Sequence, residues 1–375
     1  MQLVVTDGPG SMARYSRELA ARMAVPTLTT DIYMRLEEAF RAPFASLATL
    51  KMLRASRRFV HALRSRPGTW HLPNQHLARY GLFLREPYIV TVHDLIRYFD
   101  LTRACPFIHR PNRRDRVQLR ADTAGIRRAA AIIAVSQATK HDLVSHLGID
   151  DGRVYVVYEG VDLERFRPLL ATPFDFPYIL FVGSEHPRKN LTALFAAFQA
   201  LKASGEFPAL RIVKVGSPGG AEADFRANTL DGMRRCGLTE DDVRLIGHVS
   251  DEELPAYYSG AICLALPSLY EGFGLPALEA MACGCPVIAS AAAALPEVVA
   301  DAGLLVSPYS VDLLTAALRS VLTDEALRAR LSAQGIQRAH AFTWDRAARQ
   351  TEGVYAAVGE CLGRSPEQRS SETRQ

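Results

Sequence analysis

Residues 261–290 have the sequence AICLALPSLYEGFGLPALEAMACGCPVIAS. Its first eight residues are mostly apolar and predict a strand, LPALEAMACG has the spacing of a helix, and CPVIAS predicts a second strand. A glycine-bearing loop separates the first strand from the helix. Strand, loop, helix and strand in this order form the repeating unit of a parallel sheet with helices on both faces. The stretch therefore predicts an α/β fold.

The same alternation continues on both sides of this stretch. MQLVVTD predicts a strand that ends at GPGS, and MARYSRELAARMA continues as a helix. Residues 34–65 also have a helical pattern. Further strands are predicted at PYIVTVHDL, AIIAVS, RVYVVYEGVD, PYILFVGS, LRIVKVG, VRLIGHV and AGLLVSP.

The length of 375 residues suits two domains of about 150 to 200 residues each. We expect a Rossmann-like domain over 1–168 and a second over 169–343, joined near the proline-bearing stretch PLLATPFDFP at 168–177. The polar end of the chain, 362–375, is expected to be disordered.

The composition is that of a soluble globular protein, with 48% hydrophobic and 22% charged residues. No apolar run approaches the roughly 18 residues that span a bilayer, and the first residues lack a signal-peptide pattern. The six cysteines are scattered apart from CGC at 283–285, which favours a reducing, cytoplasmic location. Cys283 and Cys285 are expected to be buried at a helix end, because C-x-C alone is a weak metal signal.

Charge is distributed unevenly along the chain. Residues 1–150 hold 23 basic and 12 acidic residues, a net charge of +11, whereas residues 151–375 hold 21 and 28, a net of −7. The basic runs RASRRFVHALRSR and HRPNRRDRVQLR can form a solvated face, or a surface for an anionic lipid head group or a lipid-diphosphate acceptor. No nucleic-acid motif accompanies them, so we expect no nucleic-acid partner.

Ligands of open α/β sheets bind beyond the carboxyl ends of the strands. Four polar segments follow predicted strands, namely GPGS, HD, GSEHPRKN and LYEGFG. In the last of these, Gly272 and Gly274 let backbone N–H groups approach a ligand, and the following helix presents an anion site at its N-terminus. Glu271 is placed to accept hydrogen bonds from sugar hydroxyls, and Glu279 to bind a ribose.

EGFGLPALEAMACGCPVIAS resembles the E-x7-E signature of retaining glycosyltransferase family 4, whose GT-B fold has two facing Rossmann-like domains. Five further stretches resemble the same family, most closely its mannosyltransferase-like branch with a PRKN loop. They are TVHDL, VYVVYEGVDLERFRP, VGSEHPRKNLTALFAAF, LIGHVSDEELPAYYSGA and FTWDRAARQTEGVYAAV. The last resembles a helix, about 344–361, that crosses back to the N-terminal domain.

The resemblance implies a set of site residues. Lys189 and Arg188 would stabilise the departing diphosphate, His93 would orient the donor sugar, and Glu271 would position it. Ser184 stands where the family often has arginine, and GPGS departs from the usual glycine-rich loop. The implied donor-binding residues are Gly10, Asp94, Gly183, Ser184, His248, Val249, Gly272, Phe273, Gly274, Leu275 and Glu279.

The implied reaction is metal-independent transfer of a hexose, with retention, from GDP-mannose or a UDP-hexose to a glycan or lipid-linked acceptor of cell-surface polysaccharide or glycolipid synthesis. No D-x-D triplet is present, and no cofactor besides the donor is expected. The protein is expected in the cytoplasm or peripherally at the inner face of the membrane.

Two alternatives remain open at this point. One is a nucleotide-sugar epimerase of the same fold, and the other is a non-catalytic nucleotide-sugar-binding protein. The acceptor is not predicted, because residues 24–85 carry no interpretable motif.

Overall fold

The computed structural model describes residues 1–8, 10–32, 45–219 and 225–363, with backbone alone at 45–49 and 362–363. The helix predicted over 34–65 is therefore described only from residue 45, and the predicted disordered tail lies outside the described residues from 364 onward.

The chain divides into two units, each with its own parallel sheet. The first unit comprises Met1–Leu95, Asn112–Glu159 and Trp344–Gln375, and the second comprises Ile96–Pro111 and Gly160–Thr343. This division differs from the predicted boundary at residue 168, and it assigns a short segment of the first half of the chain to the second unit.

The first unit contains a six-stranded sheet in the order β2-β1-β3-β4-β5-β6, and every neighbouring pair is parallel. Its strands are β1 (Gln2–Thr6), β2 (Thr27–Thr30), β3 (Trp70–Leu72), β4 (Tyr88–Val92), β5 (Ala131–Ala134) and β6 (Val154–Val156). Its described helices are α1 (Ser11–Arg22), α2 (Ala45–Arg64), α3 (Ala78–Gly81), α5 (Arg113–Arg128), α6 (Gln137–Leu147) and α14 (Trp344–Gly363); α4 (Ile96–Thr102) lies in the second unit.

The second unit contains a six-stranded sheet in the order β12-β11-β10-β7-β8-β9, again parallel throughout. Its strands are β7 (Tyr178–Val182), β8 (Arg211–Val215), β9 (Val243–Gly247), β10 (Cys263–Leu266), β11 (Val287–Ser290) and β12 (Leu304–Val306). Its remaining described helices are α7 (Leu191–Ala203), α8 (Phe225–Arg235), α9 (Leu254–Ser259), α10 (Leu275–Ala282), α11 (Leu295–Val299), α12 (Val311–Thr323) and α13 (Glu325–Ala339).

Short polar residues determine where several helices begin and end. The Asn112 side chain accepts a hydrogen bond from the Asp115 N–H at 2.9 Å, and Asp115 accepts the Asn112 N–H at 3.2 Å. This reciprocal capping box starts α5. Gly148 ends α6 in the left-handed region, with φ of 62°.

Each unit has its own apolar core, as a sheet covered by helices requires. In the first unit, β1 packs with α1 and α14 through Leu3, Leu19 and Trp344, which are at most 2% exposed. In the second unit, Phe181 of β7 packs with Phe195 and Phe198 of α7, and all three are fully buried. Burial of an apolar side chain of this size contributes roughly 1.5–3 kcal/mol.

Most predicted strands are confirmed, including β1, β4 to β6 and β7 to β12. Cys283 and Cys285 are 2% exposed at the end of α10, as expected. The sequence did not indicate β2 and β3. They are only four and three residues long, and their side chains show no helical or strand period that separates them from a loop.

Candidate active site

The loops at the carboxyl ends of β7 and β10, which are adjacent strands, bring three predicted residues together. Lys189 Nζ donates to Glu271 Oε1 at 2.6 Å, and Arg188 Nη1 donates to Glu271 Oε2 at 2.9 Å. The Ser268 hydroxyl donates to Oε1 as well, at 2.6 Å. One buried carboxylate therefore serves two cations and one hydroxyl.

The charges of this cluster do not cancel. Glu271 is 6% exposed, and burial opposes its ionisation, but the positive charges of Lys189 and Arg188 outweigh burial and lower its pKa to about 2. Glu271 is thus ionised at neutral pH. Burial lowers the pKa of Lys189, and the charge of Glu271 opposes that shift. With Lys189 protonated, two cations share a single negative charge. The cluster carries an excess positive charge where a sheet of this class binds its ligand.

Two buried polar atoms in the same loop have no hydrogen-bond partner among the described residues, namely the donor Nε of Arg188 and the ring nitrogen Nδ1 of His186. Burial, together with the nearby cations Arg188 and Lys189, lowers the pKa of His186 to about 4. An unpaired buried polar atom costs about 1–3 kcal/mol, so such atoms often mark a ligand site.

Glycines bring the loops of this edge close to one another. Gly183 has φ of 150°, and a Cβ there would lie 3.2 Å from Cε of Lys189. Gly216 has φ of 119°, and its Cβ would lie 2.6 Å from the Gly183 carbonyl oxygen. A side chain at Gly216 would displace the neighbouring loop, and one at Gly183 would shift the end of the Lys189 side chain by a few tenths of an ångström. The half-buried Ser184 follows Gly183.

The helix α10 begins directly after the glycine loop, as predicted. Gly274 has φ of 108°, and a Cβ there would lie 2.7 Å from Cδ2 of Leu295. Pro276 occupies the first turn, where its missing N–H costs little. Gly272 is half-buried, whereas Phe273 and Leu275 are buried. The first turn of α10 thus follows Glu271 within four residues.

Glu279 lies in the second turn of α10 rather than at its start. It is 3% exposed, and its Oε2 accepts a hydrogen bond from the Tyr258 hydroxyl at 2.8 Å. The predicted ribose contact of Glu279 stays a prediction. At the end of β9, Gly247 has φ of 80° and its carbonyl accepts the Gly216 N–H at 2.5 Å. His248 is exposed and Val249 is half-buried.

In the first unit, His93 and Asp94 directly follow β4. His93 is 6% exposed, and both of its ring nitrogens are bonded: Nδ1 to Glu159 Oε1 at 2.7 Å and Nε2 to the Pro73 carbonyl at 2.9 Å. Burial disfavours the charged imidazole, but Glu159 and the Pro73 carbonyl outweigh burial and raise the pKa of His93. Asp94 is half-buried. The predicted sugar contact of His93 requires it to exchange the Pro73 carbonyl for a hydroxyl.

Gly10 precedes α1 with φ of 100°, and a Cβ there would meet no atom of the described, non-adjacent residues within 4 Å. Its carbonyl accepts the Arg14 N–H at 3.1 Å, which starts the helix. The space above Gly10 is consistent with the predicted backbone role.

Three features at these edges were not predicted. Glu159 pairs with His93, although the sequence shows only an acid within VYEGVD. Segment 96–111 packs in the second unit. A buried ion triad joins Lys214 Nζ to Glu185 Oε1 at 2.9 Å and Arg226 Nη2 to the same oxygen at 2.7 Å. A lysine inside the apolar strand LRIVKVG was the one available signal for this triad.

Over the ranges that the structure describes, no group of three or more His, Cys, Asp or Glu side chains is arranged to hold a metal ion. None of the helices in the described part of the chain is long and apolar enough to cross a bilayer.

Two family models match adjacent parts of the chain. The model for Glycosyltransferase Family 4 matches residues 11–165, and the model for Glycosyl transferases group 1 matches residues 164–338. The second match contains Arg188, Lys189, Glu271 and Glu279, and the first contains His93.

Curated relatives are similar over part of their length. The O-antigen chain mannosyltransferase B of Escherichia coli is 38% identical over 48% of this chain and 45% of its own. A D-inositol 3-phosphate glycosyltransferase of Nocardioides sp. is 36% identical over 60% of this chain and 53% of its own. The chain thus covers about half the length of these two relatives.

Among solved structures, HepE of Anabaena in complex with UDP and glucose superposes with a TM-score of 0.75. It is 19% identical, and the match covers 95% of this chain and 100% of that one. At this identity the similarity shows the fold alone, and it confirms the predicted α/β, GT-B fold.

Proposed function

We propose that this chain is a glycosyltransferase of the type that the two matching family models describe, and that it transfers a hexose from a nucleotide-diphosphate sugar to a glycan or lipid-linked acceptor. The observation that carries the proposal is the cluster of Arg188 and Lys189 on the single carboxylate of Glu271. Its excess positive charge, and the Nε of Arg188 that has no partner in the part of the chain that the structure describes, suit the diphosphate of such a donor.

The second unit would hold the donor. Arg188 and Lys189 would neutralise the charge that develops on the departing diphosphate, which is usually the largest catalytic effect in such a site. The first turn of α10 adds backbone N–H groups and the positive end of its dipole. We assign Glu279 to the ribose and the loop from Gly247 to Val249 to the base.

In the proposed step, an acceptor hydroxyl oxygen attacks the anomeric carbon on the face that the diphosphate leaves, and the configuration is retained. The bond between the anomeric carbon and the phosphate oxygen breaks, and that phosphate oxygen takes the hydroxyl proton. Fixed cations supply the positive charge, so no cofactor besides the donor is proposed. Glu271 then orients the sugar and the cations. In glycosidases the distance between two catalytic carboxylates predicts the stereochemical outcome, and this rule does not apply to Glu271 and Glu279.

The proposed donor is GDP-mannose, with a UDP-hexose as the second choice. The similarity to the mannosyltransferase of Escherichia coli supports mannose. The UDP-hexose is kept as the second choice from the sequence analysis. The site residues do not distinguish the two bases.

A nucleotide-binding measurement tests the proposal. The thermal midpoint of the wild type is measured with UDP, GDP, ADP, TDP and their common sugars, since a ligand that binds only the native state raises it. One nucleotide is expected to raise the midpoint, and Arg188→Met is expected to remove the shift. Arg211→Met is the control, because Arg211 stacks on Phe176 at the start of β8, at the other end of the sheet.

The outcomes separate the candidate functions. Transfer to a glycan acceptor with the anomeric configuration retained supports the proposal. Release of an epimerised nucleotide sugar without an acceptor indicates the epimerase, and binding without turnover indicates a non-catalytic binding protein. No midpoint shift with any nucleotide, in folded protein, contradicts all three.

We also propose that α2 contacts an anionic membrane surface. The helix and the two residues after it contain six basic residues and no acidic one, ASLATLKMLRASRRFVHALRSR at 45–66. Leu50 and Leu53 are 44% and 56% exposed on it, beside the exposed Arg54, Arg57 and Arg58. Apolar and basic side chains on one helix suit the boundary of an anionic bilayer.

Co-sedimentation with vesicles tests this surface. Binding to vesicles with anionic lipid is expected at low salt and should weaken at high salt. The triple variant R54Q/R57Q/R58Q is expected to stay in solution. Its control, R113Q/R116Q/R120Q on α5, removes the same charge elsewhere in the first unit and is expected to bind. Equal behaviour of the two variants would contradict a specific role of α2.

A further inference from the structure

Segment 96–111 begins two residues after Asp94 and lies between two stretches of the first unit, yet it belongs to the second unit. It contains α4 and the irregular backbone that follows it. No sequence pattern separates this segment from the N-terminal domain. In the second unit it contacts Arg188, a residue of the proposed donor site, and the neighbouring Tyr270.

Asp100 determines the shape of the segment. It is 3% exposed, and its Oδ1 accepts the N–H groups of Phe107 at 2.6 Å and Ile108 at 3.2 Å. Its Oδ2 accepts a hydrogen bond from Arg97 Nη1 at 2.5 Å. One buried carboxylate thus closes the loop from α4 to residue 108, and charge-assisted bonds of this kind are about twice as strong as neutral ones.

The closed loop binds the backbone of Arg188. The Phe107 carbonyl accepts the Arg188 N–H at 3.0 Å, and the Arg188 carbonyl accepts the Leu269 N–H at 2.7 Å. The Tyr270 carbonyl accepts a hydrogen bond from Arg188 Nη1 at 3.0 Å. Both backbone groups of Arg188 and one end of its guanidinium are therefore fixed by neighbouring segments.

Aromatic rings hold the segment against the loop that carries Glu271. The ring centroid of Tyr270 lies 5.3 Å from that of Phe107 and 5.6 Å from that of Phe99. All three side chains are at most 8% exposed. Aromatic pairs at these distances contribute about 0.5–1.5 kcal/mol beyond the area they bury. The segment is thus packed against the residue that precedes Glu271.

We propose that segment 96–111 is a positioning element for Arg188, organised by Asp100, and that it sets the affinity of the site for the donor diphosphate. The inference rests on the proposed function, in which Arg188 binds that diphosphate. Asp100 acts through Phe107 and touches no ligand. Because a guanidinium binds phosphate through directed donors, a displaced Arg188 backbone weakens the contact even when the side chain is intact.

Binding measurements on Asp100→Ala test the proposal. The variant is expected to bind nucleoside diphosphate about tenfold more weakly, since a hydrogen bond to a charged group contributes about this factor. Affinity for the nucleoside without phosphates should stay at the wild-type level. Asp100→Asn keeps an oxygen that can accept the Phe107 N–H and should recover most of the affinity.

Asp242 provides the matched control. It is 8% exposed, accepts the Thr239 N–H at 2.9 Å, and pairs with Lys202, so it also closes a loop of the second unit. It directly precedes β9, at the opposite end of the sheet. Asp242→Ala is expected to lower the thermal midpoint as Asp100→Ala does, with diphosphate affinity unchanged.

A double-mutant cycle separates positioning from general destabilisation. In the Arg188→Met background, Asp100→Ala is expected to cause no further loss of diphosphate affinity. Additive losses, or equal affinity of Asp100→Ala and Asp242→Ala, would overturn the inference while leaving the proposed function intact. If the wild type binds no nucleoside diphosphate, the proposed function and the inference are both wrong.

Discussion

The two units place similar buried ion pairs at the carboxyl ends of their sheets, but the pairs differ in charge balance. In the first unit, one carboxylate, Glu159, faces one histidine, His93. In the second, Glu271 faces both Arg188 and Lys189. All of these except Arg188 are at most 6% exposed, so burial alone does not separate the two sites.

The two sites also differ in how fully His93 and Arg188 are hydrogen-bonded. Both ring nitrogens of His93 are bonded to protein groups, and a carbonyl and a carboxylate can only accept, so both nitrogens carry a proton when Glu159 is ionised. In the second unit Arg188 retains a buried donor without a partner among the described residues. A balanced and saturated pair supports structure, whereas an unbalanced one with an unpaired donor indicates a ligand site.

The largest expected effect comes from removing a cation of the unbalanced site. Lys189→Met is expected to lower the transfer rate by about 10²- to 10³-fold, as the loss of one stabilising donor does in other enzymes. Lys202→Met is the control, because Lys202 pairs with Asp242 at the far end of the same sheet. Transfer kinetics with the donor found in the nucleotide panel measure the effect. A loss below tenfold would mean that the cluster is structural, like the pair in the first unit.

The next largest effect is expected from Glu271→Gln, which should lower the stability of the protein but raise its affinity for nucleoside diphosphate. Glu271→Gln leaves two buried cations without their carboxylate and should lower stability by about 3 kcal/mol. The same change removes the group that competes with a ligand for them, so nucleoside diphosphate should bind about tenfold more tightly. Calorimetric titration measures the affinity, and chemical unfolding measures the stability.

Glu159→Gln provides the comparison. It should also lower stability, but diphosphate affinity should remain at the wild-type value. If Glu271→Gln binds diphosphate no more tightly than the wild type, the carboxylate does not compete for the cations and the two pairs are alike.

The sequence predicted β1 and β4 to β12, because apolar runs bounded by turn residues indicate buried strands in a parallel sheet. It also predicted Lys189, Arg188 and Glu271 as one site, since their segments follow strands and resemble family motifs. It could not predict that β7 and β10 are neighbours, which brings Arg188 to Glu271 across 83 positions.

Residues that act through backbone contacts were not predicted from the sequence, for a related reason. Asp100 and Phe107 lie in a segment without periodicity, and their importance depends on which unit the segment packs against. In the sequence, Glu159 is only a single acidic residue at the end of a predicted strand. Long-range pairing, rather than local pattern, gives each of these residues its partner.

The smallest expected effect is the pH dependence of the balanced pair. Burial opposes the charged imidazole, but Glu159 outweighs burial and raises the pKa of His93 above its ordinary value of 6.5, so this pair stabilises the fold fully below pH 6.5. That contribution is lost as the pH rises through the raised pKa. The loss amounts to about 1.4 kcal/mol for each pH unit that separates the folded from the unfolded pKa. Urea unfolding between pH 5 and 9 should show this loss in the wild type and a much smaller one in Glu159→Gln.

His71 gives the internal control for this measurement. Burial, together with the nearby His93, lowers the pKa of His71 to about 3, so its contribution is present above pH 6.5 and is lost as the pH falls toward 3. His71→Gln should therefore change only the acid side of the profile. A Glu159→Gln profile that matches the wild type above pH 6.5 would show that His93 is not held in its charged form. The hydrogen bond to the Pro73 carbonyl would then be explained by a neutral imidazole that carries its proton on Nε2.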